Sequence, residues 1–418
     1  MNARNCSSID LEQFPQLDWN DIAPLMRRDT RSAIERVLEK QRGDALDREQ
    51  WLNLANCNGD ELLGVLIAAD LLRTELAGNI VTYVVNRNIN FTNICFVGCK
   101  FCAFSRGPRE PDTYFLNPQQ VAEKALQAKQ LGATEVCIQG GLPRGLPPLY
   151  YRDILRAVKA AAPEMHIHAF SPMEIVYGVE LTGMPLRDYL CMLRDNGLGT
   201  LPGTAAEILD DQVRHVLSRN KLSTAQWQQV IRTAHACGIR STSTLMYGHV
   251  ETPGHWVDQL LLLRQIQSET GGFTEFVPLG FVHHNTLLFH QGLSRPGPTL
   301  AEHLRIHALS RLMLAGVIGN IQVSWVKLNW NISRLCLQAG ANDFGGTLME
   351  ENISREAGAT AGQYTSPEDF QSLILELGRL PAERNTTYST IRLKTPAALA
   401  GEETCSMQAQ ERGVSEFN

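Results

Sequence analysis

The stretch Asn93-Ile94-Cys95-Phe96-Val97-Gly98-Cys99-Lys100-Phe101-Cys102 places three cysteines in a Cys-x3-Cys-x2-Cys spacing. This spacing lets one short loop direct three thiols at a single metal centre, and Gly98 allows the loop to turn tightly. A structural zinc site uses four protein ligands, whereas three thiolates on a 4Fe-4S cluster leave one iron open. We therefore predict that Cys95, Cys99 and Cys102 ligate such a cluster. The alternative is a zinc knuckle, or cysteines that meet by chance.

The composition is that of an ordinary globular protein. The chain has 418 residues, of which 44% are hydrophobic and 20% charged, with a formal net charge of -6. This charge balance argues against nucleic acid or an anionic membrane as a partner. The longest apolar run, Leu62 to Ala69, is far shorter than the ~20 residues that span a bilayer. Met1 to Ser8 lacks the basic start and apolar run of a signal peptide.

Cysteine usage outside the loop indicates a reducing compartment, so we expect a cytoplasmic protein. The other cysteines are scattered without pairing logic: Cys6, Cys57, Cys137, Cys191, Cys237, Cys336 and Cys405. Cys137 lies between Val136 and Ile138 and is most simply a small buried side chain in a strand.

The pattern of hydrophobic residues predicts an α/β fold. Residues 1–78 form a helical preface, because apolar residues recur at helical spacing up to Gly78. From Ile80 onwards, short β-branched runs alternate with amphipathic helices, and strands end near residues 94, 139, 170, 201, 247, 279, 324 and 344. Eight strands in unbroken alternation with helices indicate a (β/α)8 TIM-type barrel over 79–350. We expect a C-terminal helical closure over 351–393 and a disordered tail over 394–418.

Polar residues near the strand ends are candidates for acid–base chemistry, since the active site of such a barrel lies at the C-terminal ends of its strands. We expect His168, His249, Glu251 and Glu275 to make the mouth of the barrel polar and able to exchange protons. Each of them singly is more often an ordinary hydrogen-bonded residue than a catalytic one.

The cysteine loop has the motif of the radical S-adenosylmethionine (radical SAM) superfamily, including an aromatic residue, Phe101, before the third cysteine. Gln139-Gly140-Gly141 resembles the glycine motif that receives the methionine amino group of S-adenosylmethionine in that superfamily; a plain tight turn is the alternative. Thr204 and Glu207 lie in the region that reaches the ribose and carboxylate of the same cofactor, although Thr204 is equally well explained as a helix cap. Ser171 and Tyr247, at the ends of strands 3 and 5, complete the expected cofactor-binding set.

Further stretches narrow the resemblance to the CofH family of the deazaflavin (FO) synthase system. The matching segments are 90–106, 197–211, 246–252, 269–276, 322–327 and 345–352. The resemblance implies a transferase that uses a 4Fe-4S cluster and S-adenosyl-L-methionine to join L-tyrosine to 5-amino-6-(D-ribitylamino)uracil. In that family a 5'-deoxyadenosyl radical takes hydrogen from the tyrosine amine, the Cα–Cβ bond breaks, and the hydroxybenzyl radical adds to C5 of the uracil. It also implies a CofG-like companion enzyme and a one-electron reductant such as ferredoxin or flavodoxin.

Two other functions remain open from the residues. An aminofutalosine synthase of menaquinone biosynthesis has a similar barrel and loop but consumes no tyrosine. A non-catalytic iron-sulfur carrier or zinc-stabilised scaffold is the remote alternative, since neither needs a large polar barrel mouth.

Overall fold

The computed structural model describes residues 11–394 and the backbone of 406–408. The segment before the barrel is helical, as predicted, and Met1 to Ser8 lies outside the described residues. Its helices are α1 (Trp19–Ile22), α2 (Arg28–Lys40), α3 (Arg48–Asn56) and α4 (Asp60–Ala77), with 3-10 turns at Phe14–Gln16, Ala23–Leu25 and Gly43–Ala45. Helix α4 is apolar on nearly all sides, because it is buried between the other helices and the barrel.

Parallel strands form the barrel. They are β1 (Ile80–Val84), β2 (Asn86–Ile89), β3 (Glu135–Ile138), β4 (His166–Ala169), β5 (Thr200–Leu201), β6 (Arg240–Tyr247), β7 (Phe273–Gly280) and β8 (Asp343–Gly346). Strands β2 to β7 pair in sequence order, and β8 pairs with β1. Single bridges from Phe276 to Ile321 and from Gln322 to Asp343 connect β7 to β8. The predicted (β/α)8 barrel is therefore confirmed, with β1 and β2 sharing the first strand position.

Helices connect these strands and cover the outside of the barrel. They are α5 (Pro118–Gln130), α6 (Tyr150–Ala161), α7 (Pro172–Thr182), α8 (Leu186–Asp195), α9 (Asp211–Leu217), α10 (Thr224–Ala236), α11 (Pro253–Thr270), α12 (Leu287–His290), α13 (Leu300–Leu314) and α14 (Trp330–Gln338). Capping boxes start several of them, at Asn117, Ser171, Ser223 and Thr299. No helix in the described part of the chain is both long enough and apolar enough to cross a membrane.

The seventh strand predicted at Ile321 to Val326 is wrong beyond its first two residues. The chain leaves the sheet there and forms a 3-10 turn at Trp325–Lys327. The Trp325 indole lies flat on Trp330, with ring centroids 5.4 Å apart, and its Nε1 donates to the Gly346 carbonyl oxygen over 2.9 Å. These contacts of the indole keep residues 325–327 out of the sheet.

The C-terminal region contains strands that the sequence pattern does not predict. After α15 (Asn352–Glu356) and α16 (Pro367–Glu376) come β9 (Leu380–Arg384), β10 (Thr390–Leu393) and β11 (Ser406–Gln408). Strand β9 runs parallel to β1, and β10 and β11 add antiparallel strands beyond it. Most of the predicted disordered tail lies outside the described residues, but Ser406–Gln408 forms part of this sheet.

Candidate active site

The cysteine loop follows β2 directly and leads into one wall of a cavity at the C-terminal ends of the strands. Cys95, Cys99 and Cys102 all line this cavity, whose volume is about 260 Å³. The Cys102 N–H donates to the Cys99 carbonyl oxygen over 3.1 Å, and Gly98 takes a φ of 70°, so the loop turns tightly between its thiols. The thiols therefore share one solvent-shielded space.

The Gly140-Gly141 pair allows the loop after β3 to lie against the cysteine loop. A Cβ on Gly141 would be 2.2 Å from the Ile94 carbonyl oxygen, and one on Gly140 would be 2.7 Å from the Phe91 ring. The Gly141 N–H donates to the Thr92 carbonyl oxygen over 2.8 Å. Only glycine fits so close an approach, which a plain tight turn would not require.

The two segments expected to bind S-adenosylmethionine meet in the structure. The Gln139 side chain donates from Nε2 to Thr204 Oγ1 over 2.9 Å, and both residues line the cavity. No helix begins directly after Thr204, because Ala205 and Glu207 have φ values of 59° and 40° and the helix begins at Asp211. Thr204 is therefore not a helix cap.

A buried guanidinium holds this left-handed segment in place. Arg214 donates to the carbonyl oxygens of Ala205 and Leu222 over 3.0 and 2.7 Å, and also to those of Ala206 and Ile208. Left-handed backbone at non-glycine residues is costly and persists where surrounding contacts enforce it. The Glu207 carboxylate is thereby presented to the cavity.

Lys221 is a cavity residue that no sequence pattern singles out. Its Nζ lies 2.6 Å from Glu207 Oε1 and 4.9 Å from the centre of the Phe101 ring. Despite burial, the Glu207 charge raises the pKa of Lys221 above its ordinary value. The aromatic residue before the third cysteine thus contacts a lysine, and this lysine is neutralised by Glu207.

Ser171 brings a second carboxylate, that of Glu174, to the cavity wall. As the N-terminal cap of α7, Ser171 donates from its N–H and its hydroxyl to Glu174 Oε2, both over 2.6 Å. The Gly140 N–H donates to Glu174 Oε1 over 3.0 Å. Burial raises the pKa of Glu174 to about 7, although the hydrogen bonds from Ser171 and Gly140 oppose this shift. The capping-box spacing of Ser171 and Glu174 was the signal that could have identified this residue.

His249 and Glu251 do not line the cavity. The Glu251 carboxylate accepts from the N–H groups of Gly248 and His249 over 2.6 and 2.8 Å, from the Trp256 indole and from Arg295 over 2.7 Å. It is buried and saturated by these donors, so it orders the loop after β6. The interpretation of His249 and Glu251 as proton-transfer groups is not supported by this geometry.

Tyr247 is likewise buried away from the cavity. Its hydroxyl lies 2.7 Å from Nδ1 of His303, and its ring packs edge-on against Trp256. Its side chain points outward from β6 towards the helices, whereas the neighbouring Met246 lines the cavity. Successive side chains alternate across a strand, so the face of β6 that borders the cavity carries Met246 and not Tyr247. The expected contact of Tyr247 with the cofactor is therefore not supported.

Neither His168 nor Glu275 lines the cavity that the thiols share. Glu275 is the third residue of β7 and Asp343 the first of β8, and Arg384 Nη2 bridges them at 3.0 and 3.1 Å. His168 Nδ1 lies 2.7 Å from the Thr200 hydroxyl at the start of β5. Glu275 lies near the N-terminal end of its strand, and neither side chain lines the cavity, so the structure does not support the prediction that these two residues serve the mouth.

The donor set fits a 4Fe-4S cluster better than a single metal ion. Within the described ranges, no three His, Cys, Asp or Glu side chains converge closely enough to hold one ion. Three thiolates of a cubane cluster bind three different irons and stand further apart than ligands of one zinc ion. Burial raises the pKa of all three thiols, with the Lys221 charge opposing it at Cys99. Iron coordination would supply the charge that deprotonates them.

Family models match most of the chain. Residues 89–263 match the radical SAM superfamily, and residues 270–397 match the CofH/MqnC C-terminal region. Methylornithine synthase (PylB) shares the fold, with a TM-score of 0.63 at 19% identity over 84% of this chain and 97% of that one. The hydrogenase maturase HydG from Carboxydothermus hydrogenoformans gives a TM-score of 0.66 at 15% identity, covering 91% of this chain and 87% of that one.

Curated relatives are much more similar in sequence. The chain is 52% identical over 341 residues to an FO synthase of Mycobacterium leprae, covering 82% of this chain but 40% of that protein. The chain thus spans about two fifths of the FO synthases it matches. It is 47% identical over 361 residues to the 5-amino-6-(D-ribitylamino)uracil–L-tyrosine 4-hydroxyphenyl transferase of Methanothermobacter thermautotrophicus, covering 86% of this chain and 98% of that protein. The chain therefore belongs to the radical SAM superfamily, in the family of these transferases with a CofH/MqnC C-terminal region.

Proposed function

We propose that this chain is a radical SAM transferase that cleaves the Cα–Cβ bond of L-tyrosine and joins the 4-hydroxybenzyl group to C5 of 5-amino-6-(D-ribitylamino)uracil. The observation that carries the proposal is a three-thiol cavity in a chain that aligns with 98% of a transferase of that name. The product is a precursor of the deazaflavin FO.

Cys95, Cys99 and Cys102 would hold the 4Fe-4S cluster. Bound next to the cluster, S-adenosylmethionine supplies a 5'-deoxyadenosyl radical when the cluster is reduced. The carbonyl oxygens of Gly140 and Gly141 would accept from its ammonium group, while their N–H groups donate within the protein. The Glu207 carboxylate and the Thr204 hydroxyl, both on the cavity wall, would bind its ribose hydroxyls.

Apolar side chains would keep water and stray hydrogen donors away from the radical. The cavity is walled on several sides by such residues, namely Leu142, Met173, Met246, Leu279, Phe281 and Ile353. A dry cavity prevents side reactions of the radical and strengthens the polar contacts within it. The protein thus orients the substrates while the cofactors carry out the difficult bond cleavage.

Two partners belong to this proposal. A CofG-like companion enzyme would supply the ring-closing step. A one-electron reductant such as ferredoxin or flavodoxin would reduce the cluster, in a reducing cytoplasm.

Anaerobic turnover tests the function directly. The reconstituted enzyme, with a reductant and S-adenosylmethionine, is given the ribitylaminouracil with and without tyrosine, and products are identified by mass. We expect 5'-deoxyadenosine and a hydroxybenzyl–uracil adduct only with tyrosine. Adenosine retained covalently in a product would instead indicate an aminofutalosine synthase, and no cleavage of S-adenosylmethionine would indicate a non-catalytic protein.

A further inference from the structure

The cavity contains two lysines, and they differ in what balances their charge. Lys221 is paired with the Glu207 carboxylate over 2.6 Å. Lys327 has no carboxylate within 4.0 Å in the part of the chain that the structure describes. Lys221 therefore forms an ion pair within the protein, and Lys327 does not.

The contacts of Lys327 leave its ammonium group incompletely satisfied. Its Nζ donates to the Ser354 hydroxyl over 2.8 Å, which uses one of three N–H donors. The Glu351 charge acts on Lys327 without forming an ion pair with it, and the Glu351 carboxylate accepts from the Ser354 N–H over 2.8 Å and from the Asn88 side chain. Burial consequently lowers the pKa of Lys327, whereas that of Lys221 is raised.

Such an arrangement favours an anionic ligand. A cation taken out of water is costly unless an opposite charge and hydrogen bonds compensate it. The side chain is half-buried and lines the cavity together with Ile353 and Ala357. A carboxylate that entered from the cavity would meet the remaining donors of the ammonium.

We propose that Lys327, positioned by Ser354, binds the carboxylate of the amino-acid substrate. This inference rests on the proposed function, in which that amino acid is tyrosine. Lys327 lines the same cavity as the three thiols, so the bound amine would lie near the radical source. Phe281 and Val282 provide an apolar wall for the phenol ring.

Equilibrium dialysis of the cluster-loaded enzyme with S-adenosylmethionine and no reductant measures this contact without turnover. The probes are tyrosine and tyramine, which lacks the carboxylate. In the wild type we expect tyrosine to bind much more tightly than tyramine. Lys327→Met should weaken tyrosine binding about 30-fold or more and leave tyramine binding nearly unchanged. Lys327→Arg should restore most of the affinity for tyrosine.

Lys129→Met, on the exposed face of α5, is the matched control and should bind both probes like the wild type. Iron content and thermal midpoint report whether each variant is folded and loaded. Unchanged tyrosine affinity in Lys327→Met would overturn the proposal, as would a loss of S-adenosylmethionine affinity alone. If the wild-type enzyme binds tyrosine no better than tyramine and forms no adduct, the proposed function fails instead.

Discussion

At the scale of single residues, the three thiols are the best-defined part of the site. Cys95, Cys99 and Cys102 line one cavity, whereas Cys137 lies within β3, outside its lining. A cluster ligand cannot be replaced by a hydroxyl without loss of a metal bond.

Cys99→Ser should therefore abolish the 4Fe-4S absorbance and all formation of 5'-deoxyadenosine. Cys137→Ser is the control and should retain both, because its thiol lies outside the cavity and desolvation strongly raises its pKa. An active, fully loaded Cys99→Ser enzyme would contradict the assignment. Ultraviolet–visible spectra and product chromatography measure the two quantities.

Glu174 predicts a pH dependence of stability. Burial raises its pKa from 4.5 to about 7 in the folded protein. Between these values the folded state binds the proton that the unfolded state has released, so this group's contribution to stability falls as pH rises from about 4.5 to 7. Glu174→Gln should remove that dependence. Urea unfolding of both proteins from pH 5 to 8 checks it, and parallel curves would refute the shift.

At the scale of elements, the loop after β3 and the cysteine loop depend on their close approach. A Cβ at Gly141 would lie 2.2 Å from the Ile94 carbonyl oxygen, whereas a Cβ at Gly319 would meet nothing within 4 Å. Backbone atoms cannot move aside without shifting the loop that carries the thiols.

Gly141→Ala should consequently lower the iron content of the purified protein while the barrel remains folded. Gly319→Ala is the matched substitution and should keep full iron content. Iron analysis gives the first quantity, and far-ultraviolet circular dichroism the second. Normal loading of Gly141→Ala would mean that the loops tolerate separation.

Strand β9 ends in a buried cation, Arg384, which forms ion pairs near the N-terminal ends of β7 and β8. Arg384 pairs with Asp343 over 2.5 Å and with Glu275 over 3.0 Å, and Tyr388 also donates to Glu275. Removal of one partner from such a cluster leaves buried charge without compensation.

Arg384→Met should reduce the free energy of unfolding by about 3–5 kcal/mol. Arg392→Met removes an exposed charge on the adjacent β10 and should change it little. Both variants should keep their affinity for S-adenosylmethionine, because the ion pairs of Arg384 lie at the end of the barrel opposite the thiols. Chemical denaturation and ligand titration distinguish these effects.

At the scale of the whole molecule, the chain corresponds to about two fifths of the FO synthases it resembles. It aligns with nearly the full length of the separate transferase. A single barrel with a single three-thiol loop in the described residues provides one radical centre.

Turnover of the chain alone should therefore accumulate the open hydroxybenzyl adduct without the fluorescence of a deazaflavin. Addition of a CofG-like enzyme should convert the adduct to the fluorescent product. Fluorescence in the absence of that second enzyme would show that one barrel completes both steps. Emission spectra and mass spectrometry separate the two species.

The sequence by itself determined the barrel and identified the three-cysteine loop that lines its cavity. The cysteine spacing, the glycine pair and the alternation of strands and helices are local patterns, so they can be read without knowledge of distant contacts. Gln139 and Thr204 were also identified locally, and the structure joins them by one hydrogen bond.

Only the tertiary structure decided which charged groups face the cavity. His168 and Glu275 do not line the cavity, and Glu275 instead pairs with Arg384 from a strand that the sequence pattern did not predict. Strand β9 was missed because it is short and contains Pro381. Lys221, Lys327 and Glu174 come from separate segments, and their roles depend on which charges lie within a few ångströms. That depends on packing between distant parts of the chain, which no local pattern encodes.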